Sequence, residues 1–166
     1  MSTDAIVVLK DDHKEVRRLF RAFEKAGHDA TERKGQLVQE ILALLTVHTY
    51  IENEGMYPRI RELLPDLDDD VLESYEEHHV ADLLCLELEA MSPDHDHFDA
   101  KTTVLIENVE HHIEEEEEEW FPKVREGLSR KTLQEIGAQM LELKKTAPRK
   151  PSDPLARKSA AKAVSA

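Results

Sequence analysis

The sequence has one cysteine, five glycines and no apolar run long enough to span a bilayer. Each shortage excludes something. Cys85 alone cannot form an internal disulfide, so nothing calls for an oxidising compartment, and it reads as a small core residue. Without further cysteines there is no thiolate set for an iron–sulfur cluster or for most structural zinc sites. The scarcity of glycine leaves long stretches rich in Leu, Glu, Lys and Ala, and no alternating strand pattern competes with helix. The first residues, MSTDAIVVLKDDHKE, lack the basic start, apolar stretch and cleavage site of a signal peptide, which predicts a cytoplasmic protein with no membrane partner. Basic residues are outnumbered as well. With a formal charge of -14, the folded part would repel a phosphate backbone, so nucleic acid is not an expected partner.

What is present suffices for one domain with a buried core. The chain divides into a helical domain over residues 1–146 and a basic extension over 147–166. In the extension Arg149, Lys150, Arg157, Lys158 and Lys162 stand against Asp153 alone. Its prolines, alanines and lysines predict a flexible, solubilising tail, because almost no large apolar group is there to bury.

Apolar residues recur at helical steps along the domain. Ile6, Leu9, His13, Val16, Phe20 and Phe23 share one face of a first helix that ends near Gly27. A second helix opens near Thr31 and carries Leu37, Ile41, Leu44, His48 and Ile51 until Pro58 kinks or stops it. A third covers about 71–91, after the turn residues of LLPDLDDD, and SPDHDHFDA makes the next turn. In the fourth, Thr102, Leu105, Val109, His112, Glu116 and Trp120 follow one face, whereas Val104, Asn108, His111, Glu115 and Glu119 make a far more polar one. A shorter fifth helix is expected over 130–145. The prediction is all-α: an up-down-up-down four-helix bundle with a short fifth helix.

Histidines therefore sit in the middle of apolar faces, and an internal repeat selects them. HTYIENEGMYP begins at His48 and HIEEEEEEWFP at His112, each with glutamate at +4 and +6, an aromatic at +9 and proline at +10. DDHKEVRRLFRAF around His13 matches EEHHVADLLCLEL around His78 in the same way. The halves read as two copies of one helical hairpin, and the four histidines meet at one level. A glutamate four residues after a histidine stacks on the same helix face, so His48 with Glu52, and His112 with Glu116, can bind one cation or adjacent ones. A single such pair is a common surface feature. Two in register, each with a further inward histidine, would leave costly unpaired polar groups in a core unless they share a partner. Imidazoles with carboxylates suit iron, manganese or zinc, and two glutamates are enough to bridge a metal pair. Most other glutamates of the acidic run, Glu117 included, read as solvated surface; His28, His95 and His97 fall in turns.

The order His13, His48-x-x-x-Glu52, His78, His112-x-x-x-Glu116, with aromatic-proline after each pair, resembles the bacterial hemerythrin-like family, whose domains are named for His-His-Glu motifs. The similarity spans roughly residues 4–126. It implies a bundle holding two iron ions, bridged by oxygen or carboxylate, in preference to manganese or zinc. It also implies that the partner is dioxygen or a related small oxidant, with peroxide or nitric oxide consumption as an enzymatic alternative and an iron-responsive interaction module as a third. Carried over by position, His13, His48, His78 and His112 would be terminal ligands, and Glu52 and Glu116 would bridge. One departure stands out: oxygen carriers of the family have His-x-x-x-His on the third helix, and here Asp82 follows His78 by four. The repeat favours His78 over its neighbour His79 as the ligand.

Overall fold

The computed structural model describes residues 4–165, all helix and connecting turns, with no strand among the described residues. Helix α1 (Ala5–Lys25) starts where the Asp4 carboxylate accepts from the backbone N–H groups of Ile6 and Val7, satisfying donors that the helix start leaves open. It packs antiparallel to α2 (Thr31–Ile51). After α3 (Tyr57–Leu63) and a turn, α4 (Asp68–Glu89) pairs with α5 (Phe98–Glu115), and these four long helices form the bundle.

Neither proline-containing motif stops its helix. Between Ile51 and Tyr57 the chain widens into a π-helical turn, Glu52–Met56, and between Glu115 and Phe121 into another, Glu116–Trp120. Pro58 and Pro122 then occupy the first turn of α3 and α6 (Phe121–Gly127), where a missing N–H costs little. The widened turn closes with Tyr57 N–H bonded to Glu52 C=O, and Phe121 N–H to Glu116 C=O. Each π turn thus begins at the glutamate of a His-x-x-x-Glu pair, a placement typical of functional sites.

Past α6, Ser129 caps α7 (Arg130–Thr146), which lies against α1 and the first π turn and buries Leu133, Ile136 and Met140. Where composition predicts a flexible tail, the structure has α8 (Pro154–Ser165) packed on α4. Small size makes this possible: Ala160 and Ala163 are buried, so the helix approaches closely, while Lys162 pairs with Glu54 at 3.0 Å and Ser152 N–H donates to Glu89. No helix among the described residues is long and apolar enough to cross a membrane.

The core has two apolar clusters. One contains Ile6, Leu9, Ile51, Met56, Tyr57, Trp120 and Phe121; the other contains Val16, Phe20, Ile41, Phe98, Leu105 and Val109. A layer of buried polar groups separates them.

Candidate metal centre

That layer is built by the repeat. His13 on α1, His48 on α2, His78 on α4 and His112 on α5 are all buried, as are Glu52 and Glu116 at the start of the two π turns. Each glutamate reaches one histidine from each hairpin. Glu52 Oε2 lies 3.2 Å from His48 Nε2 and 3.1 Å from His78 Nε2; Glu116 lies 3.2 Å from His13 Nε2 and 3.6 Å from His112 Nε2. His78 and His112 bring their Nε2 atoms to 3.1 Å.

These close approaches do not satisfy the groups that make them. His13 Nε2, His48 Nε2, both oxygens of Glu52 and Glu116 Oε2 are buried with no hydrogen-bond partner. Orphaned donors and acceptors of this kind cost free energy in a core. A cation is the partner this donor set fits: His13, His48, Glu52 and Glu116 offer atoms within 4.8 Å of one another, and Glu52, His78 and His112 form a second such group. Since Glu52 belongs to both groups, two adjacent ions sharing it match the arrangement.

The outward nitrogens are all held. His13 Nδ1 meets Glu117 at 2.8 Å, His48 Nδ1 meets Asp12 at 3.4 Å, His78 Nδ1 meets Asn53 at 3.0 Å, and His112 Nδ1 meets Glu77 at 2.5 Å. Such contacts fix which nitrogen faces a metal and how the ring is turned. Arg17 holds the other Glu117 oxygen at 3.1 Å, and Lys144 of α7 holds Asp12. Glu117 is therefore not the solvated residue its place in the acidic run suggests. Glu117→Gln should weaken metal affinity by roughly 10–100-fold, measured by competition with a chromophoric chelator, while leaving the helix content unchanged.

These four partners were missed in the sequence, yet each adjoins a candidate ligand. Asp12 and Glu77 precede His13 and His78; Asn53 and Glu117 follow Glu52 and Glu116. The repeat was their available signal. Tyr57 is a further omission: fully buried, it donates its hydroxyl to Glu116 Oε1 at 2.9 Å and lies 3.2 Å from His78 Nε2. Burial, with Glu116 and Glu52 nearby, pushes its hydroxyl well above the ordinary tyrosine value, so it stays protonated. Its counterpart in the other half, Phe121, stacks on His13 with ring centres 5.8 Å apart.

Other expectations fall as follows. His79 is half-buried and outside both groups, whereas His78 is inside one. His111, His28, His95 and His97 are exposed. Asp82 joins neither group; it lines a small gap under α8 with Tyr50, Asn53 and Arg157.

Electrostatics divide the ligand candidates. Burial, with Glu116 nearby, pushes Glu52 up to about 8, while His112 and His13 hold Glu116 low against its own burial. Burial and His112 push His78 down to about 3. Burial would lower His112 too, but Glu116 and Glu77 outweigh it and raise it to about 9.

A bundle of antiparallel helices with an inward set of four imidazoles and two carboxylates defines a helical cation-binding domain. The chain belongs to the hemerythrin HHE cation-binding domain family, whose model matches residues 4–124. Its fold is that of the crystal structure of a hemerythrin HHE cation-binding domain-containing protein, the Rv2633c homologue from Mycobacterium kansasii. The two superpose with a TM-score of 0.71 at 22% identity, covering 96% of this chain and 98% of that one. A protein described as a DNA nickase from Nostoc sp. is 29% identical over 124 residues, which are 74% of this chain and 34% of the nickase. The chain thus spans about a third of that relative's length.

Proposed function

We propose that this domain holds two iron ions and binds dioxygen or a related small oxidant, in the cytoplasm and with no organic substrate. His13, His48, His78 and His112 would be the terminal ligands, and Glu52 and Glu116 the bridges. The observation that carries the reading is a cavity over the same layer, lined by all four histidines, by Val16, Leu45, Ala81, Val109 and Ile113, and by Asp12 and Glu77, but by neither Glu52 nor Glu116. Glu52 and Glu116 close one side of the site; the other is mostly apolar, with Asp12 and Glu77 engaged by the His48 and His112 rings. A small uncharged molecule can enter such a space, whereas a large polar substrate has no room. When bound, iron supplies the redox chemistry; the chain supplies neutral imidazole nitrogens, oriented by their outer partners, and a Tyr57 hydroxyl held as a donor beside Glu116.

A second reading, peroxide consumption at the same site, is favoured by one atom. Asn108 lines the cavity, and its Oδ1 is buried with no hydrogen-bond partner. An acceptor there suits a ligand that carries a proton, as hydrogen peroxide does and dioxygen does not.

Metal analysis of the purified protein, with absorption spectra before and after dioxygen, peroxide or nitric oxide, tests both readings. About two irons per chain and an oxygen-dependent charge-transfer band are expected from a carboxylate-bridged pair. Zinc alone, or no metal after reconstitution with ferrous iron, would overturn the proposal. Oxygen evolution from peroxide at a steady rate would favour the second reading.

A further inference from the structure

The acidic run contributes to a groove that the metal centre alone does not explain. On α4, Asp70, Glu73 and Glu77 project from one face; across from them stand Glu115 and Glu119, at the end of α5 and in the second π turn. The groove between these walls also touches His112 and Glu116. Glu116 is 1% exposed, and one of its oxygens has no hydrogen-bond partner. A surface lined by carboxylates thus leads to a buried, underbonded carboxylate of the metal centre. Lys123 holds Asp70 at the far end, 3.2 Å away.

The duplication shows that this lining is not a general property of the bundle. Counting back by the repeat offset, Asp70, Glu73, Glu115 and Glu119 correspond to Ala5, Val8, Ile51 and Gly55, and His111 corresponds to Val47. All five are buried. On that side α7 fills the groove: a Cβ on Gly55 would sit 3.0 Å from the Met140 side chain and 3.1 Å from that of Leu143. Of the wall acids, Glu77 alone keeps an acid as its counterpart, Asp12, and there Lys144 of α7 pairs with it. The same place in the fold is thus sealed by apolar packing and one ion pair in one half, and open and lined with carboxylates in the other.

At the mouth, a third set of groups comes together. Glu77, His111 and Glu115 offer atoms within 4.8 Å of one another, with His111 Nε2 3.1 Å from Glu115 and 4.0 Å from Glu77. Glu77 belongs to both places, because its other oxygen meets His112 Nδ1. We infer that this groove is the entry route for divalent cations, with Glu77, His111 and Glu115 as a transit site from which an ion passes to His112 and Glu116. The inference rests on the reading of the core as a metal centre. Its physical basis is that clefts lined by one sign of charge concentrate counter-ions and raise association rates by about 10–10³-fold, an advantage that salt removes.

The test is stopped-flow loading of metal-free protein with Co(II), followed by its visible absorption. Glu73→Gln, Glu115→Gln and Glu119→Gln combined should slow loading by about tenfold or more at low ionic strength. The gap should shrink as salt is added, and the final cobalt content should not change. A control combining Glu62→Gln, Glu118→Gln and Glu142→Gln, at exposed positions outside the groove, removes the same formal charge and should load at nearly the parental rate. Equal slowing in both variants, or slowing in neither, would overturn the route and leave the metal centre standing. If the parent chain takes up no cobalt, the metal-centre reading falls and the route falls with it. Circular dichroism of the metal-free variants should match that of the parent, which separates a slower loading step from a loss of fold.

Discussion

Replacing His112 or Glu116 by alanine is expected to abolish the metal centre, taking iron from about two per chain to well below one by elemental analysis. Glu116 has the larger effect of the two because three elements depend on it. It approaches His13 on α1 and His112 on α5, and it accepts from Tyr57 just after the first π turn. Removing it takes a carboxylate from the group that also holds His13, His48 and Glu52, and leaves the His13 and His112 rings and the Tyr57 hydroxyl without the acid they face. Removing His112 deprives one position of an imidazole and leaves Glu77 half-buried without the ring it holds. The neighbouring His111→Ala is the informative contrast. Its side chain is 64% exposed and outside the central groups, so its iron content at equilibrium should match the parent. Equal losses from His111 and His112 would refute the assignment of faces on α5.

Metal loading should also dominate the stability of the domain, in a pH-dependent way. An ion that binds only the folded chain, present at a thousand times its dissociation constant, stabilises by about 4 kcal/mol. For a chain of this size that corresponds to a rise in melting temperature of roughly 8–16 °C. The effect should strengthen from pH 6 towards pH 9. Glu52, pushed up to about 8 by burial and by Glu116, carries a proton at pH 7 in the metal-free chain. So does His112, which burial would lower but which Glu116 and Glu77 raise to about 9. A ligating carboxylate and imidazole must give those protons up, so ions and protons compete for the same atoms. Binding at pH 7 should release the protons that Glu52 and His112 hold, and the apparent affinity should keep rising through pH 9, where His112 is still only about half deprotonated. Calorimetry in buffers of different ionisation enthalpy measures the release. Affinity that is flat from pH 6 to 8 would mean that other atoms bind the metal.

The helices were legible because their apolar faces repeat at 3.6-residue spacing, and the six central groups because the same spacing occurs twice. Periodicity alone placed His13, His48 and His112 inward. Only the comparison of halves chose His78 over His79, since Leu72 and Leu83, which share the face of His79, look like core residues in the sequence and are exposed in the structure. The partners of the outward nitrogens were harder to read. Asn53 and Glu117 reach histidines on the opposite hairpin, so their role depends on how the hairpins dock, which no local pattern encodes. The π turns were hidden for a different reason. A proline in a helical pattern signals disruption, but not whether the chain will break or will absorb the disruption by adding one residue to a turn. The alanine-rich last segment is hard to read because composition signals packing through large apolar groups, which it lacks. Ala160 and Ala163 pack by letting the helix axis come close.

The covered groove on one side and the charged groove on the other have a consequence for how such a site can evolve. Two separate copies of one hairpin, meeting about a two-fold axis, could present the same four imidazoles and two carboxylates. In that assembly every substitution appears twice, since the partners are identical. An acid that helps cations in at one groove would then stand in the other as well, where Gly55 lets the Met140 and Leu143 side chains of α7 come close. Joining the hairpins in a single chain lifts that constraint. One half can become a closed wall and the other a charged door, while the six groups between them keep their symmetry.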